Sequence, residues 1–283
     1  MKEKIKILSP KLDIVFKLLF GTVGSIEILT DFLLSVLNLS SDEYDDITIS
    51  NPFLLQEYKG GKLGILDIKL KLKSGKVLNI EIQVDLMPFM ESRIMFYASK
   101  LITEQIHESE QYDKIKRVIS IIITDHILIK ESDKFHHKFG LYDIESHTLL
   151  TDILEIHTLE IPKARKHFDG AIAEKEQLLN WMKFLDAKTE EDLEMLAQKS
   201  NIMKNATMRL LELSTDDKAR QIYEARLKEQ RDNYAREKEA VATALKTRDI
   251  EIAKKLLAKA MPNEVISDIT GLTMSEIEAI RTL

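Results

Sequence analysis

Residues 64–84 read GILDIKLKLKSGKVLNIEIQV, two alternating runs around Lys73-Ser74-Gly75. Successive side chains of a strand point to opposite faces. Leu66, Ile68, Leu70 and Leu72 therefore share one side of the first run, and Asp67, Lys69, Lys71 and Lys73 the other. In the second run Leu78, Ile80, Ile82 and Val84 oppose Asn79, Glu81 and Gln83. A two-residue turn at Ser74-Gly75 pairs Asp67 with Ile82 and mixes the faces. A three-residue loop, Lys73-Ser74-Gly75, pairs Leu72 with Lys76 and Asp67 with Glu81, with Gly75 in the left-handed position this loop wants. The second register keeps the apolar face whole, and a one-residue slip flips a whole face. The stretch thus predicts a hairpin whose two carboxylates face each other, about 4.5–5.5 Å apart at Cβ.

Facing carboxylates repel unless a cation or a proton lies between them. Two arrangements meet that need. Lys69 or Lys71 completes a surface ion network, or a divalent metal sits between the acids. Hard ions such as Mg²⁺ take oxygen ligands, usually one or two carboxylates, and keep positions for water and phosphate. Gln83, on the same face as Glu81, is then placed to orient a metal-bound water. Lys59, Lys62, Lys69, Lys71, Lys73 and Lys76 crowd around the hairpin. They read as a solvated face or as contacts to a phosphate backbone.

The rest of the chain frames this hairpin. Its 283 residues suit one large domain or two ordinary ones, and 44% apolar with 31% charged content suits a globular core. It contains no apolar run of ~18 residues and no apolar signal core, which predicts no membrane span and a cytoplasmic protein. Cysteine is absent, which removes disulfides and thiolate metal sites. A net charge of −6 argues against a wholly basic coat but permits a local basic cleft. The seven histidines form no HExxH, and adjacent His136 and His137 point apart in a strand, so all are read as surface or core. No phosphate-cradling glycine loop and no GxSxG elbow is present.

Ser9-Pro10 reads as a helix start, with Leu12, Val15, Phe16, Leu19 and Phe20 at helical spacing and Gly21 as the stop. A second helix runs over about 25–39, then an acidic loop over 40–46, then a strand over 47–57 broken at Asn51-Pro52. After the hairpin, Pro88 opens a helix extending to about Glu110. RVISIIITD (117–125) is a β-branched run that predicts a strand buried on both faces. Strand-like pieces follow at 138–144 and 153–161. Residues 1–165 are therefore read as an α/β domain around a mixed sheet flanked by helices. Residues 166–214 are a helical region. Residues 215–283 hold a long helix, without a regular heptad seam, and a helix-turn-helix-like C-terminal element. Thr273 and Glu276 form a capping box on the last helix. The acidic start of that helix suits a homodimer contact better than DNA backbone.

Asp67, followed fourteen positions later by Glu81-Ile82-Gln83, resembles the PD-(D/E)xK nuclease pattern with Gln where that pattern has Lys. More specifically, the chain resembles the Rpn family, recombination-promoting nucleases also described as transposases. SPKLDIVFKLLFG (9–21), GILDIKL with NIEIQV, SRIMFYASKL (92–101) and TGLTMSEIEAI (270–280) carry the likeness in order along the chain. The resemblance implies a restriction-endonuclease-like core and a metal-dependent endonuclease hydrolysing the phosphodiester bonds of DNA. It implies a role in recombination or with mobile elements, and Mg²⁺ or another divalent cation such as Ca²⁺ or Mn²⁺. By position Asp67 and Glu81 are the metal ligands, and Gln83 completes the catalytic set. The departure matters, because Lys can stabilise a negative transition state and Gln can only hydrogen-bond. The pattern's Pro before the Asp is Leu66 here. A substitute cation is therefore expected from Lys69 or Arg93. Asp13 is either a first-turn acid complementing the helix dipole or a further carboxylate near the metal. Arg93, Tyr97 and Lys100 share one helix face, as a phosphate-contacting stripe or as packing. The competing expectation is a catalytically weak nuclease fold that holds nucleic acid or assembles through its C-terminal helices.

Overall fold

The computed structural model describes residues 5–37, 47–50, 67–85, 87–168 and 175–282. The expected acidic loop 40–46, the strand beyond Ser50, Lys59, Lys62 and Leu66 lie outside the described residues. The chain divides into two compact units, Met1–Tyr223 and Glu224–Leu283.

The first unit is built on six strands: β1 (Thr48–Ser50), β2 (Ile68–Lys71), β3 (Val77–Gln83), β4 (Val118–Thr124), β5 (His136–Tyr142) and β6 (Leu149–Glu160). Their order across the sheet is β1-β2-β3-β4-β6-β5. β3, β4 and β6 run parallel, while β1, β2 and β5 pair antiparallel, which makes the sheet mixed. Every residue of β4 is buried, as a strand sandwiched between helical layers must be. The expected mixed sheet flanked by helices is the fold.

Helices α1 (Asp13–Phe20), α2 (Ile26–Val36) and α5 (Glu176–Asp186) share an aromatic core of Phe20, Phe32, Trp181 and Phe184. Trp181 is fully buried, and its indole N–H donates to Asp31 Oδ2 at 2.9 Å. Helix α3 (Met90–Thr103) covers one face of the sheet, packing Ile94, Tyr97, Ala98 and Leu101 on Val77, Val118, Ile122 and Ile156. A short α4 (Ile161–Ala164) follows β6, and α6 (Glu190–Ala197) and α7 (Asn201–Thr215) extend the helical part.

The second unit holds most of α8 (Asp217–Ala258), with α9 (Asn263–Thr270) and α10 (Met274–Arg281). Ala253, Ile266, Leu272 and Ile277 form its core. Gly271 ends α9 at φ 70°, and the Thr273–Glu276 capping box starts α10 as the sequence requires. Tyr234 and Val241 of α8 are exposed.

Two expected boundaries move for local reasons. Ser9 does not cap α1. The Leu12 N–H bonds to the Ser9 carbonyl at 3.1 Å, and the resulting turn delays the helix to Asp13. α3 stops at Thr103 rather than near Glu110. The Gln105 side-chain amide brackets the Lys116 backbone, donating to its carbonyl at 3.0 Å and accepting from its N–H at 2.8 Å. That bracket turns the chain into β4. Among the described residues no single helix is long and apolar enough to cross a membrane.

Candidate active site

The turn at Gly75 sets the geometry. Gly75 has φ 86°, its N–H bonds to Leu72 at 2.8 Å, and Leu72 bonds to Lys76 at 2.9 Å. The three-residue loop is thus formed, and Ile68↔Ile80 and Lys69↔Asn79 follow in register. Continuing that register sets Asp67, just before β2, against Glu81.

Each acid has its own support. Asp67 Oδ2 accepts the Ile82 backbone N–H at 2.9 Å, and Oδ1 pairs with Lys17 Nζ of α1 at 3.1 Å. Glu81 Oε1 accepts from Asn79 Nδ2 at 3.1 Å. Both faces of β3 are buried, because α3 roofs the side that carries Asn79 and Glu81. Glu81 is only 5% exposed. Burial, opposed by the Asn79 hydrogen bond and aided by the Asp67 charge, raises its pKa to about 7. Burial also raises Asp67, against the pull of the Ile82 N–H and Lys17, with Asp13 adding repulsion. Arg93 and Lys17 both act on Glu81, and Arg93 stacks over the Tyr97 ring with Cζ 4.9 Å from its centroid. Burial raises the Tyr97 pKa, with Arg93 opposing and Glu81 and Asp67 contributing. Asp13, Lys17, Asp67, Glu81, Arg93 and Tyr97 thus share one electrostatic neighbourhood.

Other expected members have bonds and packing of their own. Lys69 binds Glu104 at 2.7 Å and does not pair with either acid, so the surface network of Lys69 with Asp67 and Glu81 is not formed. Gln83 is at the end of β3, and its amide donates to the Asp85 carbonyl at 3.2 Å. Lys100 lies over Phe96. Tyr97 is a packed core side chain as well as a neighbour of Arg93. Sequence reasoning undervalued two residues. Nothing in the first helix marks Lys17, and only the fold brings it to Asp67. Asn79 stood out as a polar residue in an apolar run, and that oddity was the one available signal.

The chemistry of the donors fits a hard divalent cation. Two carboxylates are desolvated and repel each other, and Lys17 and Arg93 offset this only in part. The buried Asn79 Oδ1 accepts no hydrogen bond among the described residues, which leaves one more oxygen beside Glu81. The described residues offer no group of three or more His, Asp or Glu able to cage an ion. Asp67 and Glu81 would therefore hold a cation that keeps much of its own water.

The family model described as PD-(D/E)XK nuclease family transposase matches residues 10–240. No curated protein and no solved structure matches.

Proposed function

The chain belongs to the PD-(D/E)XK nuclease family transposases, and from that premise we propose that it is a divalent-metal-dependent endonuclease acting on DNA phosphodiester bonds. The observation that carries the reading is the Gly75 register, which sets Asp67 opposite Glu81 under the roof of α3. Asp67 and Glu81 hold the cation. Bound there, the metal would activate a water and shield phosphate charge. Asn79 fixes one oxygen of Glu81, and the Ile82 N–H fixes one of Asp67. Gln83 is limited to hydrogen bonding. The positive charge that a lysine at its position would bring is supplied by Lys17 and Arg93, the two cations acting on Glu81. The Rpn-like setting, DNA breakage that promotes recombination or accompanies mobile elements, is the biological context we attach to this chemistry.

The test is nicking of supercoiled plasmid in Mg²⁺ or Mn²⁺ against EDTA. Asp67→Asn and Glu81→Gln should each lower the rate by at least about 100-fold while circular dichroism stays native. Undiminished cleavage in either variant rejects the assignment. DNA retention by wild type with no metal-dependent nicking would instead favour a nucleic-acid-holding module.

A further inference from the structure

Helix α3 opens on a residue that serves the fold poorly. Phe89 stands at its N-cap, where a side-chain oxygen stabilises a helix and phenylalanine has none. Its backbone is left-handed, at φ 58°, a conformation that a bulky side chain rarely adopts. Its side chain is left in solvent, the residue being 81% exposed. Backbone outliers of this kind cluster at functional sites. Phe89 also has the right neighbour for one. Its carbonyl accepts the Arg93 N–H at 3.0 Å, so it lies one helical turn before the cation that acts on Glu81.

The pattern continues along the helix. Phe89, Arg93, Phe96 and Lys100 recur at i, i+4, i+7 and i+11, which places them on one face over about 16 Å. Aromatic and cation alternate. Phe96 is 36% exposed, with Lys100 Nζ 5.7 Å from its ring centroid. Arg93 lies over the Tyr97 ring, and its buried Nε has no hydrogen-bond partner among the described residues. Glu91 falls on the opposite side of the helix, and Glu104, at its end, is held by Lys69 at 2.7 Å. Single-stranded nucleic acid matches such a stripe, because its open bases lie on aromatic rings while cations follow its phosphates. An intact duplex keeps its base faces stacked and offers nothing to the two rings. We propose that this edge of α3 holds single-stranded DNA, with bases stacked on Phe89 and Phe96 and phosphates at Arg93 and Lys100. The substrate then reaches Asp67 and Glu81 as an unpaired strand. The proposal rests on the nuclease reading for the reaction, while the binding itself is measured without cleavage.

The test is fluorescence anisotropy of the full-length protein in EDTA, with a labelled oligo(dT) of about 20 nucleotides and a blunt duplex of the same length. The wild type should bind the single strand at least about 10-fold more tightly than the duplex. Phe89→Ala and Phe96→Ala should each weaken oligo(dT) binding about 5- to 50-fold, with native circular dichroism and little change for the duplex. Phe89→Trp should bind as wild type does, whereas Phe89→Leu, apolar but without a π-face, should behave as the alanine variant. Arg93→Gln should lower the slope of log affinity against log salt by about 0.7, the share of one phosphate on a single strand. Equal affinity for strand and duplex overturns the proposal. Oligo(dT) binding that neither alanine substitution weakens, or that Phe89→Leu preserves, overturns it equally. Strand binding that depends on both rings, without metal-dependent nicking of plasmid, upholds the stripe and rejects the nuclease reading. Nicking with strand binding indifferent to both rings does the reverse.

Discussion

Glu81 stores a penalty that the metal-free protein must reveal. Its folded pKa of about 7 lies above the ordinary 4.5, so the folded state holds a proton that the unfolded chain releases. Stability from this group is complete below pH 4.5 and is lost as pH climbs through 7. Glu81→Gln should therefore stabilise the EDTA-treated protein at pH 8 by roughly 3 kcal/mol and change little at pH 4.5, as urea titrations at the two pH values would measure. Mg²⁺ should then raise the melting temperature of wild type more than that of the variant. The substitute cation gives a second prediction. Lys17→Met should slow nicking by about 10- to 100-fold, Lys17→Arg should restore much of it, and Lys69→Met should leave the rate nearly unchanged because Lys69 binds Glu104.

The Gly75 turn is the element on which the site's register rests. Gly75→Ala forces a Cβ into positive φ and against the Lys116 side chain at 3.2 Å, and should cost about 1–2 kcal/mol in chemical denaturation. Activity per folded molecule should survive, because alanine does not change the loop's length. This turn was legible from sequence, since alternation and one glycine admit a single face-preserving register. The end of α3 was not, because Gln105 makes its bonds across eleven residues to Lys116. Lys17 was illegible for the same reason, its partner lying fifty residues on. The histidines hid a connection too. His136 Nε2 and His157 Nδ1 lie 2.8 Å apart, and His157 Nε2 lies 2.6 Å from Glu155 Oε1. Reading His136 as merely surface or core missed this chain, since β5–β6 pairing brings it about. Burial, with the charges of His157 and Lys175, lowers the His136 pKa to about 3. Burial would raise Glu155, but the bonds from His157 and Lys138, with Arg117 nearby, outweigh it and lower it to about 2. Both groups therefore favour folding at neutral pH. The His136 contribution fades from pH 6.5 down toward 3, and that of Glu155 from 4.5 down toward 2. His136→Asn should flatten the upper part of that decline in thermal melts across pH 7 to 4.

Across the first unit, distant segments are tied by one ion cluster. Lys11 binds Asp125 at 2.5 Å and Asp186 at 2.8 Å, and Arg165 binds both acids. Lys11 is not legible as part of this cluster from sequence, because its partners come from just after β4 and the end of α5. Asp186→Ala leaves two cations without that acid and should cost about 3 kcal/mol in urea unfolding. The two compact units also have separate cores, and the chain's only tryptophan, Trp181, lies in the first. Indole emission is consequently blind to the C-terminal helices, whereas ellipticity at 222 nm sums over all of them. If the two bodies melt independently, the optical signals will trace different curves, and the gap between them weighs the tail's own cooperativity without any label being added.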